Sequence, residues 1–376
     1  PQGDHRAART GGHHGRTGPC SGGRRCALSP GEHAGAPRRD ERIGAPRSRD
    51  WHFGCAPESA TIGGVELIEL DDVRAAARNL AGVAVRTPLL PSPWSAQLWL
   101  KPESLQPTGA FKLRGACHTL AQLPAKQRAA GVVTHSSGNH GQALAYAARA
   151  LGAPCVVVMP DAALAHKIEA TRQLGAEVIL VPAAERTVRA AALADERGLT
   201  QVPPFDHRDV IAGQGTVGLE IVEDMAVDVV LVPVGGGGLA SGVATAVKAR
   251  QPAAMVIGVE PAVAADAQES LAAGEVRPWP VERTYRTVAD GLRTQLSELT
   301  LAHLRARLDG IVTVTEEEIL DTTRAMLREA RLVVEPSGAV ATAAYLHRRD
   351  ELPDGRTVAV VSGSNLDPAL LLRLAA

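Results

Sequence analysis

From about residue 131 onward, short runs that are apolar on both faces alternate with Ala-rich helical stretches. This alternation limits the possible folds more than any other feature. The runs GVVTHSS (131–137), PCVVVMP (154–160), AEVILVP (176–182), DVVLVPV (228–234), MVIGVE (255–260) and TVAVVSG (357–363) are rich in β-branched residues and too short for core helices. The segments between them, such as 141–151 and 163–174, carry apolar residues at helical spacing, and LDDVRAAARNLA opens the region in the same way. Strands apolar on both faces need cover on both faces, which helices in strand–helix alternation provide. The expected class is α/β with mostly parallel sheets, and no sequence repeat underlies it.

This pattern does not reach the start of the chain. Residues 1–60 are crowded with Gly, Arg, His and Pro and have almost no aliphatic side chains. Such a segment buries too little apolar surface to offset chain entropy, so disorder is expected there. It has no apolar core of a secretory signal, and an over-extended start or non-functional leader is the favoured reading. The full length of 376 residues fits two domains or one large α/β unit. A net charge of −1 and an aromatic fraction of 3% argue against nucleic acid and base stacking. No apolar run approaches a membrane span, so no membrane partner is expected. Cys20, Cys26, Cys55, Cys117 and Cys155 show no CxxC or metal spacing, which fits reduced thiols and a cytoplasmic location.

In sheets of this kind, ligands sit where strands lead into helices at their carboxyl ends. Three such junctions are unusual. In VVTHSSGNHGQA (132–143), Ser136, Ser137, Gly138, Asn139 and His140 stand at the start of a helix. A simple helix cap needs one such residue, and this loop supplies four polar side chains, as an anion site would. In VPVGGGGLASG (232–242), the run Gly235, Gly236, Gly237 and Gly238 lets several backbone N–H groups converge on a phosphate. No Gly-Lys-Ser/Thr follows it, so it is not a Walker loop. In VAVVSGSNLDP (358–368), Ser362, Gly363, Ser364 and Asn365 close the last strand, and alone these would pass as a turn. A lysine completes the set. The chain has 40 Lys plus Arg but only five lysines, one of them in TGAFKLRGA (108–116). A chain that otherwise uses arginine for positive charge places Lys112 where a deprotonatable amine is useful. An amine, a phosphate cradle and two Ser/Asn loops describe a ligand with an aldehyde, a phosphate and a polar ring, which is pyridoxal 5′-phosphate (PLP).

The segments TGAFKLRGA, HSSGNHGQALAYAA, IAGQGTVGLE, VPVGGGGLASG, VEPAVAAD, TVADGL and VVSGSNLDP, in this order, resemble the fold-type II PLP enzymes over about residues 62–374. The resemblance is greatest to the serine racemase and serine/threonine dehydratase (ammonia-lyase) group. It implies the tryptophan synthase β-like architecture, two open twisted mostly parallel sheets flanked by helices. Residues 61–130 and 207–376 would form a large PLP-binding domain and 131–206 a small one, in a homodimer.

The same resemblance implies that Lys112 holds PLP covalently and later moves the substrate Cα proton, with Phe111 anchoring the loop. It places Asn139 at the PLP hydroxyl, Gly235–Gly238 and the Leu239 amide at the phosphate, and Ser362 at the pyridine nitrogen. Ser136, Ser137, Gly138, Asn139 and His140 would grip the carboxylate of a small amino-acid substrate. Glu260, Ala264 and Asp266 resemble a site for Mg²⁺ or Ca²⁺, a set of hard oxygen ligands. The family's usual last loop is Ser-Gly-Gly-Asn, and this chain has Ser364 in place of the second glycine. No second large segment follows the catalytic core, so feedback control through a regulatory domain is not expected.

The leading expectation is an ammonia-lyase acting on L-threonine or L-serine. Serine racemase is the alternative, with Lys112 and Ser137 as bases on opposed faces. A 3-hydroxyaspartate dehydratase is a third reading. It needs a cation for the side-chain carboxylate, for which Arg186 is a candidate. A PLP- or nucleotide-binding module without catalysis is the weakest reading, because Lys112 and all three loops are intact.

Overall fold

The apolar runs become strands of two separate sheets in a computed structural model that describes residues 61–376. The expectation for 1–60, and Cys20, Cys26 and Cys55 with it, lies outside the described residues. One sheet has six strands, in the spatial order Gly310–Val314, Met255–Pro261, Val229–Pro233, Thr357–Val361, Leu98–Pro102 and Leu90–Pro91. All neighbours in it are parallel except the last pair, which is antiparallel. The other sheet is wholly parallel, in the order Glu177–Val181, Cys155–Pro160, Val132–His135 and Thr200–Gln201. A two-residue hairpin, Thr61–Ile62 with Val65–Glu66, precedes both.

Strand alternation sorts the core of the larger sheet. Val229, Leu231, Ile257, Val259 and Ala359 face the Pro336–His347 helix, where Ala339, Val340 and Ala343 are fully buried. Val230, Val232, Val256 and Val358 face the opposite side. There they meet Val217 and Ile221 of the Arg208–Asp224 helix and Val243 and Val247 of the Gly238–Arg250 helix. Each such fully buried Val, Leu or Ile stabilises the fold by roughly 1.5–3 kcal/mol.

The segment IAGQGTVGLE is not a ligand loop but the inner face of the Arg208–Asp224 helix. A Cβ at Gly213 would lie 2.6 Å from the Gly115 Cα, and one at Gly218 would lie 2.7 Å from the Val243 carbonyl oxygen. The glycines bring three helices into backbone contact, which fixes the Lys112–Gln122 helix against the Arg208–Asp224 helix.

Some strands were not visible as apolar runs. Leu98–Pro102 carries Lys101 in its middle, fully buried. The charge is tolerated because Nζ donates to Glu220 Oε2 at 2.6 Å and to the Thr87 carbonyl at 2.7 Å. Arg114, also buried, joins the same network and donates to Glu220 Oε1 at 2.6 Å and to Glu103 Oε2 at 2.7 Å. Burial alone would raise the Glu103 carboxyl, but the Arg114 guanidinium outweighs it and holds the group below the usual carboxylate range. Removing one partner of such a network costs about 3–5 kcal/mol.

Candidate active site

The strands Val132–His135, Val229–Pro233 and Thr357–Val361 all open at their carboxyl ends onto one cleft. Phe111, Lys112, the whole 136–140 turn, Gly235 to Leu239 and Ser362 line it. The three loops and the lysine singled out from sequence therefore meet in one place. Glu260, Ala264 and Asp266 do not line the cleft. They sit beyond it, at the end of the Met255–Pro261 strand and the head of the next helix.

Lys112 is the first residue of its helix, and the loop before it is stitched to the last strand. The Phe111 amide donates to the Ser362 carbonyl at 3.0 Å, and the Ser364 amide donates to the Gly109 carbonyl at 2.7 Å. Gly109 has φ +70°, and a Cβ there would lie 2.6 Å from Asn365 Oδ1, so only glycine lets the loop pass. The hydroxyl of Ser364 lies 3.1 Å from the Ser104 carbonyl and 3.2 Å from that of Gly109. It ties the loops together. Lys112 Nζ donates to the Pro204 carbonyl at 2.6 Å and lies 5.1 Å from the centre of the Phe111 ring. Among the described residues it has no carboxylate partner, and burial lowers its pKa to about 8.

The 136–140 turn is held from within. Ser136 Oγ accepts the amides of Gly138 at 3.0 Å and Gly141 at 2.9 Å. Ser136 is thus a cap for the Asn139–Ala150 helix. The amides of Ser137, Asn139 and His140 donate to no other group among the described residues. The same holds for the amides of Gly235 to Leu239 at the head of the Gly238–Arg250 helix. Unpaired N–H groups at a helix start suit an anion, and two such sets line one cleft together with Lys112.

The glycine run has a second cause. A Cβ at Gly236 would lie 2.5 Å from the Phe205 ring, and one at Gly237, whose φ is +83°, would lie 2.7 Å from the Leu296 side chain. The loop is pressed against its wall, which leaves its N–H groups for the cleft. Ser362 is buried, and its hydroxyl donates to the Ser337 carbonyl at 3.3 Å.

Two histidines enter the cleft uncharged. Burial, then Arg186, then Lys112 lower His135 to about 4. Burial, then Lys112, lower His140 to about 3, against the opposing bond to the Val202 carbonyl at 3.1 Å. A carbonyl only accepts, so His140 Nε2 carries the proton.

Several cleft residues were not found from sequence: Lys167, Asp290, Glu335, Ser337 and Phe205. Glu335 and Ser337 had a local signal, a Glu-Pro-Ser-Gly head on an apolar helix. Arg186, a candidate from sequence, lines the cleft, and its Nη1 donates to the Tyr285 hydroxyl at 2.7 Å. Among the described residues it has no ion pair.

Outside the cleft, Glu260 is buried and its two oxygens accept the amides of Ala267 at 3.0 Å and Gln268 at 2.8 Å. Asp266 Oδ2 is buried and has no hydrogen-bond partner among the described residues. No group of three or more His, Cys, Asp or Glu side chains is placed to hold a metal among the described residues.

Residues 80–363 match the family model described as pyridoxal-phosphate dependent enzyme. The L-threo-3-hydroxyaspartate ammonia-lyase of a Pseudomonas species is 38% identical over 312 residues, covering 81% of this chain and 97% of that protein. The serine racemase of Schizosaccharomyces pombe is 38% identical over 306 residues, covering 79% of this chain and 94% of that protein. The crystal structure of the T.th. threonine deaminase matches with a TM-score of 0.75 and 44% identity, covering 80% of this chain and 99% of that one. With its cleft, its unpaired amides and these relatives, the chain belongs to the pyridoxal-phosphate dependent enzymes of fold type II, in the branch of the serine racemases and the threonine and hydroxyaspartate ammonia-lyases.

Proposed function

We propose that this enzyme is an ammonia-lyase that dehydrates L-threonine or L-serine, releasing 2-oxobutanoate or pyruvate and ammonia. The observation that carries this reading is Lys112, a half-buried amine with its pKa lowered to about 8. It faces two sets of unpaired amides in one cleft. PLP, when bound, supplies the electron sink for charge that develops at the substrate Cα. Lys112 holds the cofactor and carries the Cα proton. The amides of Gly235 to Leu239 would hold its phosphate, Asn139 would bond its hydroxyl and Ser362 its pyridine nitrogen. The 136–140 turn binds and orients the substrate carboxylate. We assign 61–130 and 207–376 to a large cofactor-binding domain and 131–206 to a small one. A homodimer is the proposed assembly, and a mass measurement in solution tests it.

Two further readings each have an observation in favour. Ser137 lines the cleft, and a hydroxyl on the face opposite Lys112 would support racemisation of serine. Arg186 brings a cation without a carboxylate partner into the same cleft, which suits the side-chain carboxylate of 3-hydroxyaspartate. The relatives bear all three activities in their names. Incubation with L-threonine, L-serine and L-threo-3-hydroxyaspartate, following keto acid and D-serine together, separates them. Keto acid from threonine or serine above that from hydroxyaspartate is the expected result. Turnover of none of the three would overturn the proposal.

We also propose that Glu260, the Ala264 carbonyl and Asp266 hold Mg²⁺ or Ca²⁺. The unpaired, buried Asp266 Oδ2 supports a cation there. Chelation by EDTA is expected to lower the melting temperature, and either ion to restore it. A melting temperature indifferent to EDTA would leave these residues a helix cap.

A further inference from the structure

Lys167 belongs to the Ala165–Gln173 helix, which follows a strand of the four-stranded sheet. Its side chain is only 2% exposed. The stem runs over the 136–140 turn, so closely that a Cβ at Gly138 would lie 2.5 Å from Lys167 Cδ. The ammonium then leaves its own sheet and crosses the cleft. It donates to Asp290 Oδ2 at 2.6 Å and to Glu335 Oε2 at 3.3 Å. Both acids stand on the side of the six-stranded sheet, Asp290 in the 290–292 turn and Glu335 at the head of the Pro336–His347 helix.

The crossing continues beyond the lysine. The other oxygen of Glu335 accepts from Asn139 Nδ2, and Asn139 Oδ1 accepts from Asn365 Nδ2 at 2.9 Å. Asn365 Nδ2 also donates to the Thr108 carbonyl, in the loop that leads to Lys112. Two acids share one ammonium here, held at 2.6 Å and 3.3 Å. This arginine-rich chain places a lysine, a compact cation, at that point.

We propose that Lys167 is a positioning residue that latches the cleft. Its bonds to Asp290 and Glu335 hold the 136–140 turn against the six-stranded side and keep the amides of Ser137, Asn139 and His140 aimed at the substrate carboxylate. This rests on the reading of that turn as the carboxylate grip. Entry of substrate then requires the latch to open, and its closing completes the site.

The test uses the PLP-loaded enzyme and Lys167→Met, which keeps the stem and removes the charge. A weakened latch lowers the closed fraction, and apparent affinity falls in proportion while the closed complex still reacts. For whichever 3-hydroxy amino acid the wild type turns over, KM is expected to rise by about tenfold or more, with kcat within about threefold. Amides 136–140 are expected to exchange hydrogen faster, with exchange in the six-stranded sheet unchanged. An unchanged KM with a lowered melting temperature would make Lys167 a core residue only and overturn the proposal. A fall in kcat at constant KM would make it a proton-handling group and overturn it as well. If Lys167→Met does not fold, Asp290→Asn keeps the Lys167–Glu335 pair, and a KM rise of several-fold is then expected, with an unchanged KM again overturning the latch. If the wild type turns over none of these amino acids, the functional reading has failed. The latch then stands or falls on the exchange of amides 136–140.

Discussion

Four of the five lysines are drawn inward. Lys101, Lys167 and Lys248 are buried and Lys112 lines the cleft, while Lys126 is exposed. The arginine bias of the chain marks all four as special without saying which one is chemical. Their partners do. Lys101 meets Glu220 at 2.6 Å, Lys167 meets Asp290 at 2.6 Å, and Lys248 meets Asp309 at 2.7 Å. Lys112 alone among these has only a carbonyl and a ring. Its charge is therefore lost as pH rises through about 8, well below the ordinary 10.5. In cofactor-free protein, acylation of Lys112 by an amine-directed reagent should reach half its maximal rate near pH 8. A midpoint near 10.5 would show an ordinary solvated lysine. Arg at position 112 stays protonated, so Lys112→Arg should abolish turnover.

Ser137 gives a second test at this scale. Ser137→Ala removes a hydroxyl from a half-buried position and little volume. If wild type forms D-serine, the variant should lose that product and keep keto-acid release. Loss of both activities would mean that Ser137 seats the carboxylate instead. Local motifs set Lys112, Asn139 and Ser362 apart in the sequence, and the structure brings all three to one cleft. Lys167 and Glu335 were not singled out. Those two are 168 positions apart, and their meaning lies in meeting each other.

At the scale of the element, the glycines divide into two groups with different work. Those of the loop at 235–238, expected from the sequence to form a phosphate loop, line the cleft and leave their amides unpaired among the described residues. Gly213, Gly215 and Gly218 do something the sequence motif did not show, which is to bring helices into backbone contact. Both kinds read as glycine in a motif, and only their position on a strand end or a helix face separates them. Gly237→Val forces a β-branched residue to φ +83° against Leu296 and Thr300. The left-handed backbone alone costs about 1–2 kcal/mol. The variant should retain PLP at least tenfold less well on dialysis (about 1.4 kcal/mol), followed by the absorbance of bound cofactor. Unchanged retention in a folded variant would exclude this loop as the phosphate cradle. Gly213→Ala should leave cofactor affinity nearly unchanged yet lower stability by about 1–3 kcal/mol in urea unfolding, because Gly115 backbone gives no room.

At the scale of the molecule, the parallel architecture was legible because strands covered on both faces leave long apolar runs. The strands Leu98–Pro102, Thr200–Gln201 and Gly310–Val314 escaped that reading. The first hides a paired lysine, the second is two residues long at a sheet edge, and the third is an edge strand broken by Thr313. Among the described residues no helix is long and apolar enough to cross a membrane, in keeping with the sequence. Cys117 and Cys155 are buried, and burial pushes both thiols up to about 12, so they are poor nucleophiles.

The pairing of Leu98–Pro102 with Thr357–Val361 has a consequence in time. The strand that leads towards Lys112 lacks its central neighbour until nearly the whole described chain has left the ribosome. Contacts so distant in sequence close late, since the intervening loop must be ordered first. Helices can form early, but Lys112 and Ser362 come together only when the Thr357–Val361 strand inserts. On dilution from urea, far-ultraviolet ellipticity should therefore recover ahead of the absorbance of captured cofactor. The newborn enzyme would pass through a helical stage that holds no PLP.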